Sequence, residues 1–182
     1  MTGIGLATLA LLSCQQSALA NKDLTLIQQG ITAQNAGNYS AAEAAYRTAI
    51  QQEPQNATIY YNLGNALSAQ GKVEAAIAAY QTTLQLDPQN ADAYYNLGYW
   101  LNIQGQTVDA IAAYRQAIKF QPFDADTHYN LGVLLKAQGQ LNEAETLLRH
   151  ALLLNATNAG AYASGSFAMV IGISPTKTIV YE

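Results

Sequence analysis

Few residues in this 182-residue chain have side chains suited to covalent chemistry. Its two histidines are His128 and His150, and its one cysteine is Cys14. His128 falls in an apolar-periodic column, where a histidine packs as core rather than acting as a base. His150 has no cysteine or acid at metal-ligand spacing. No glycine-rich phosphate loop follows a strand, because no clear strand precedes the last residues. The expectation is therefore no enzyme activity, no metal and no cofactor. What recurs instead is an amide beside a phenol. Asn62, Asn96 and Asn130 stand 34 residues apart, each directly after Tyr61, Tyr95 or Tyr129. A primary amide donates and accepts hydrogen bonds at once, as a peptide bond does, so a row of them suits an extended backbone. A tyrosine adds flat apolar area with a polar tip, a common binding surface.

The same 34-residue period runs through the chain and marks a repeat array. Copies run over 57–90, 91–124 and 125–158, with a looser one over 23–56. Each holds two apolar-periodic runs separated by a glycine: Gly37, Gly71, Gly105 and Gly139. In the second copy, Tyr60, Leu63, Gly64 and Leu67 share one helical face; Ala76, Ile77, Tyr80, Leu84 and Leu86 follow at helical spacing in the next run. The glycines are expected as left-handed helix stops. Asn56, Asn90, Asp124 and Asn158 are expected as N-caps. Pro54, Pro88 and Pro122 end three of the second runs. Glu74, Asp109 and Glu143 suit the dipole at the start of the second helix. Two columns of small residues, Gly30/Gly64/Gly98/Gly132 and Ala42/Ala76/Ala110/Ala144, allow close approach of paired helices. A lone hairpin leaves an apolar face uncovered, so neighbours must stack on it.

At these residues the chain resembles a tetratricopeptide repeat array. The third copy gives Tyr94, Leu97-Gly98, Leu101, Ala110, Tyr114, Ala117 and Pro122 at the family's pattern positions; the second has Thr83 for the second alanine. The fourth departs at His128, Leu148 and Ala156, and the first has Leu26, Gln29, Gly30 and Ala33 where bulk is expected. The resemblance implies an all-α, right-handed α-solenoid of antiparallel helix hairpins, four repeats over 23–158. It also implies that the first helix of each repeat lines a concave groove. Mapped residue by residue, that groove carries Tyr61, Asn62, Asn65, Tyr95, Asn96, Tyr99, Tyr129, Asn130 and Val133, with Asp92, Asp126, Asn102 and Lys136 towards its margins. Some members clamp a C-terminal carboxylate there. Asn65 and Asn96 match two such places, but Tyr61, Asp126 and Asn130 hold the basic ones, so carboxylate binding is not expected.

Residues 1–20 differ in kind. Ile4–Leu12 is an apolar run of signal-peptide length, too short to span a bilayer. Ala18-Leu19-Ala20 reads as a small-residue cleavage site, while Leu11-Leu12-Ser13-Cys14 resembles a bacterial lipobox with Cys14 as the lipidation site. Soluble export (periplasm or extracellular space) and lipid anchoring at the cell envelope are two exclusive expectations. An apolar helix packed on the first repeat is the third. The leader lacks a lysine or arginine, which a misplaced start codon would explain. Residues 159–182 open an incomplete fifth repeat and then lose the helical period; either they fold back over the last repeat or the reading frame is truncated or shifted, and the second is expected.

A net charge of −4 with few charged residues offers no concentrated basic face, which excludes nucleic acid as an expected partner. The reading is a non-catalytic interaction module that takes a protein or an extended peptide. The alternatives are a self-assembling homo-oligomeric scaffold that stacks through its open C-terminal face, and a fragment of a larger transferase carrying such repeats.

Overall fold

A computed structural model describes residues 26–159, which form eight helices and, among the described residues, no strand. The helices are α1 (26–35), α2 (Tyr39–Gln52), α3 (Ala57–Ala69), α4 (Val73–Leu86), α5 (Ala91–Ile103), α6 (Thr107–Phe120), α7 (Ala125–Ala137) and α8 (Leu141–Ala159). They fall into two compact units that divide after Pro88, with α1–α4 in the first and α5–α8 in the second. Each unit contains two helical hairpins. The fold class is thus an all-α array of hairpins. The segment expected to be a leader (1–20), Cys14 within it, and the residues after Ala159 lie outside the described residues.

Local chemistry sets the helix ends. Gly37, Gly71, Gly105 and Gly139 have φ of +74°, +72°, +76° and +76°. Each lets the chain reverse so that the next N–H bonds back to the carbonyl five residues earlier: Asn38 to Ala33, Lys72 to Leu67, Gln106 to Leu101 and Gln140 to Leu135. This is the Schellman stop, and a left-handed residue is needed to close it. Asn56, Asn90 and Asp124 cap α3, α5 and α7 through side-chain oxygens that accept from Thr58, Ala93 and Thr127. The ends of α2, α4 and α6 come two residues before Pro54, Pro88 and Pro122, whose rings disfavour helical backbone in the residue ahead of them. The fourth copy has Ala156 in that column. With no proline to stop it, α8 continues to Ala159. Asn158 therefore lies inside α8, and the expectation that it caps a following helix is corrected.

Within each hairpin the small columns do what their size allows. Ala42, Ala76, Ala110 and Ala144 are all essentially buried. A Cβ placed on Gly64 would lie 2.6 Å from Cε1 of Tyr80, and one on Gly132 would lie 2.8 Å from Cγ of Leu148. The glycine is therefore the floor on which a large side chain of the partner helix rests. Tyr46, Tyr80 and Tyr114 are the largest fully buried side chains, and each lies opposite such a glycine. Thr83 stands where the pattern has alanine; it is fully buried, and its hydroxyl donates to the Ala79 carbonyl at 3.0 Å. That internal bond removes the cost of burying a bare hydroxyl.

Between hairpins, ionic ties are found in both units. In the first, the Glu43 carboxylate on α2 accepts from Lys72 Nζ at 2.7 Å, Arg47 Nε at 2.9 Å and Gln70 Nε2 at 3.0 Å. In the second, Arg115 on α6 donates in a fork to both oxygens of Glu143 on α8, at 2.9 and 3.0 Å.

Candidate functional site

The residues mapped to a groove lie on α3 in the first unit and on α5 and α7 in the second. On α5, helical spacing puts Asp92, Tyr95, Asn96 and Tyr99 on one face; on α7 it does the same for Asp126, Tyr129, Asn130 and Val133. The buried residues of these helices, Leu97, Gly98 and Leu101 on α5 and Leu131, Gly132 and Leu135 on α7, face the core instead. Tyr95, Asn96, Tyr129 and Asn130 are half-buried, whereas Tyr99 is 43% exposed and Val133 44%.

Two of the expected groove amides already hold tyrosines of their own chain. Asn130 Nδ2 donates to the Tyr95 hydroxyl at 3.2 Å, linking α7 to α5. In the first unit Tyr80 donates its hydroxyl to Asn65 Oδ1 at 2.8 Å, linking α4 to α3. The Asn65 oxygen is thus committed to orienting a core tyrosine. Sequence spacing shows which residues share a helix face but not that one of them reaches back to a buried ring. Asn62 is half-buried on the same face as Tyr61, and the Tyr61 and Tyr80 rings lie 6.1 Å apart.

The second unit gathers its aromatic groups. Tyr95 lies against the buried Tyr114, with ring centroids 6.0 Å apart and tilted by 59°. Tyr99 meets Trp100 edge to face at 5.2 Å. Burial pushes the Tyr95 phenol above its ordinary pKa; the Asn130 bond opposes this, and the nearby Asp126, Asp124 and Tyr99 add to it. The face is therefore aromatic, amide-bearing and edged with carboxylate. The second unit also has a shallow cleft of about 330 Å³ lined by Val108, Ile111, Ala112, Arg115 and Gln140, which lies on α6 and the α7–α8 turn rather than on the tyrosine face.

The histidines meet. His128 is 4% exposed, as expected of a core position, and donates from Nε2 to the Pro122 carbonyl at 2.8 Å. A carbonyl only accepts, so the proton is on Nε2 and Nδ1 is left as a buried acceptor without a partner among the described residues. The His150 ring stacks on it edge to face at 4.6 Å. Ligand spacing along the sequence gave no hint of this contact; the register, in which α7 and α8 face each other, was the available signal. Among the described residues no cluster of three or more histidines, cysteines or acids could hold a metal ion. No described helix is long and apolar enough to cross a membrane.

Two family models described as tetratricopeptide repeat match the chain, one over 27–91 and again over 61–125, the other over 101–165. The chain belongs to the tetratricopeptide repeat family. Solved structures of tetratricopeptide repeats agree in fold. A crystal structure of MamA is 28% identical, covers 81% of this chain and 86% of its own, and superposes with a TM-score of 0.72. The first tetratricopeptide repeat domain of Spaghetti (RPAP3), bound to the HSP90 peptide SRMEEVD, is 19% identical, covers 65% of this chain and 94% of its own, at a TM-score of 0.63. An O-GlcNAc transferase from Thermobaculum terrenum is 28% identical over 64% of this chain and 22% of its own, at 0.59. No curated protein sequence matches the chain. In this tetratricopeptide repeat protein the family pattern accounts for the core glycines, alanines and tyrosines. The fold is generally that of a protein-interaction module. The Glu43 cluster and the Asn130–Tyr95 bond are features of this chain's own residues.

Proposed function

We propose that this tetratricopeptide repeat protein binds an extended peptide or protein segment on the face of its first helices, and that it does so in the cell envelope. The observation that carries the reading is the face of α5 and α7. Tyr95 is held by packing on Tyr114 and by Asn130, and Tyr99 by packing on Trp100, so contact area is in place before a ligand arrives. Preorganised area of this kind costs less to bind than a mobile side chain does. Asn96 and Asn130 supply amides for the ligand backbone, and Tyr61 and Asn62 offer the same chemistry on α3 of the first unit. The Spaghetti domain, which shares the fold, was solved with a peptide bound. The envelope location rests on the Ile4–Leu12 run and the two processing signals beside it.

The test is recovery of a partner from the native envelope fraction with wild-type protein, followed by calorimetric titration of wild type against Asn96→Ala/Asn130→Ala. Each lost backbone hydrogen bond costs about 0.5–1.5 kcal/mol, so the double variant should bind roughly 5- to 150-fold more weakly. N-methylation of the ligand backbone should cost more than permuting its side chains. Unchanged affinity in a folded double variant rejects the face. An unprocessed Met1 terminus in the cytoplasm rejects the envelope location; a mature start at Asn21 or a lipidated Cys14 supports it.

A second reading, the front of a larger transferase, is favoured by the likeness to the Thermobaculum enzyme. A reading frame extending into a transferase domain would establish it.

A further inference from the structure

The charge on the second unit's face is one-sided. Asp92 and Asp126 occupy the same register position on α5 and α7, 34 residues apart, and both side chains are exposed. Helical spacing puts Tyr95 and Asn96 three and four residues beyond Asp92, and Tyr129 and Asn130 three and four beyond Asp126. Each carboxylate therefore sits at the edge of the tyrosine face. The corresponding residue on α3 of the first unit is Thr58, so the charge is not a feature of every copy. Ion pairs join Arg47 and Lys72 to Glu43, Arg115 to Glu143 and Arg149 to Glu145; neither Asp92 nor Asp126 takes part in these. The cations of α6, the helix paired with α5, are engaged elsewhere. Arg115 is held by Glu143, and Lys119 lies over the Phe120 ring at 5.1 Å. Lys136, the only lysine or arginine on α5 or α7, is ten residues beyond Asp126, roughly 15 Å along the helix.

We propose that the second unit's face selects peptide segments bearing lysine or arginine, with Asp92 and Asp126 meeting the cationic head and Tyr95, Tyr99 and Tyr129 packing along its stem. The proposal rests on the peptide-binding reading above and adds the chemistry of the ligand. The electrostatics run one way. Carboxylates at the rim attract a cation and repel an acidic segment, and complementary charge at a rim sets which partner is admitted. A lysine or arginine stem is apolar and lies well on a tyrosine ring, whose face attracts the charge. The Tyr95 phenol already feels Asp126, which places that carboxylate within electrostatic reach of the ring. Tyr99, 43% exposed and braced edge to face by Trp100, is the most accessible ring of the set. The helix dipole also favours acids in a first turn; Asn in their place keeps the fold at little cost while removing the charge.

The test is selection of twelve-residue peptides from a random phage-displayed library on the full chain, run in parallel on Asp92→Asn/Asp126→Asn. The expected result is at least threefold enrichment of lysine and arginine on wild type, lost on the double variant. A synthetic peptide from the selected set should bind the double variant at least fivefold more weakly, and Tyr99→Ala should weaken it comparably. Enrichment of neutral or acidic peptides, or the same basic preference on the double variant, overturns the proposal and leaves the peptide-binding reading intact. No enrichment on the wild-type chain overturns both.

Discussion

The side-chain amide of Asn130 on α7 donates to the hydroxyl of Tyr95 on α5, at 3.2 Å, and so ties the first helices of two successive hairpins. The sequence marks both residues as expected groove residues, and the bond gives them a structural task within the chain. Removing either partner should remove the same interaction. Asn130→Ala and Tyr95→Phe should each destabilise the chain by about 0.5–1.5 kcal/mol, and the double variant by clearly less than the sum. Urea denaturation in a double-mutant cycle measures this. Strict additivity would show that the two side chains do not interact in solution.

Gly64→Ala should destabilise by about 1–3 kcal/mol, because the new methyl would lie 2.6 Å from the buried Tyr80 ring and the ring has little room to move. Gly71→Ala should cost about 1 kcal/mol for a different reason: nothing lies within 4 Å of its Cβ, but φ there is +72°. Thermal melts separate the two cases. Gly71→Asn should recover part of its loss, since asparagine tolerates the left-handed region, and Gly64→Asn should not.

Glu43 should give the chain an acid-sensitive tie. Its hydrogen bond to Lys72 is the largest cause, with Arg47 and Gln70 adding to it and partial burial opposing it; together they bring the pKa from 4.5 to about 2. A carboxylate depressed in the folded state stabilises fully above its unfolded pKa and loses that stabilisation as pH falls through the folded one. The window is therefore from about 4.5 down to about 2. Because Lys72 and Arg47 are half-exposed, the contribution near neutral pH is about 1–2 kcal/mol after screening. Glu43→Gln should be less stable than wild type at pH 6, and the gap should narrow as pH falls below about 4.5 and be mostly gone by pH 2. A gap that persists unchanged at pH 2 would show that the loss is not ionic.

His128→Tyr should stabilise the second unit by about 0.5–1.5 kcal/mol. At the same register in the first unit, the Tyr60 hydroxyl donates to the Pro54 carbonyl at 3.2 Å, as His128 Nε2 does to Pro122. A tyrosine can keep that bond and lacks the buried, unpartnered Nδ1. Denaturant titration of the two proteins decides it. A destabilised variant would show that the edge-on contact with His150 contributes more than the bare nitrogen costs.

The sequence by itself determined the repeat, the hairpins and their punctuation. Those depend on local physics: a glycine that accepts positive φ, an asparagine or aspartate that caps, a proline that stops a helix, and an apolar period that defines a face. Gly71, Asn90 and Pro122 act within a few residues of where they stand, so spacing alone reveals them. The absence of a proline at Ala156 was equally visible, and α8 runs on past it. Tertiary structure decided which polar groups find one another. Asn65 reaches Tyr80, Asn130 reaches Tyr95, Glu43 gathers Lys72 and Gln70, and His150 covers His128. These pairs lie 15 to 35 residues apart, and a side chain's reach across that gap depends on helix packing distance and rotamer, neither of which leaves a period in the sequence.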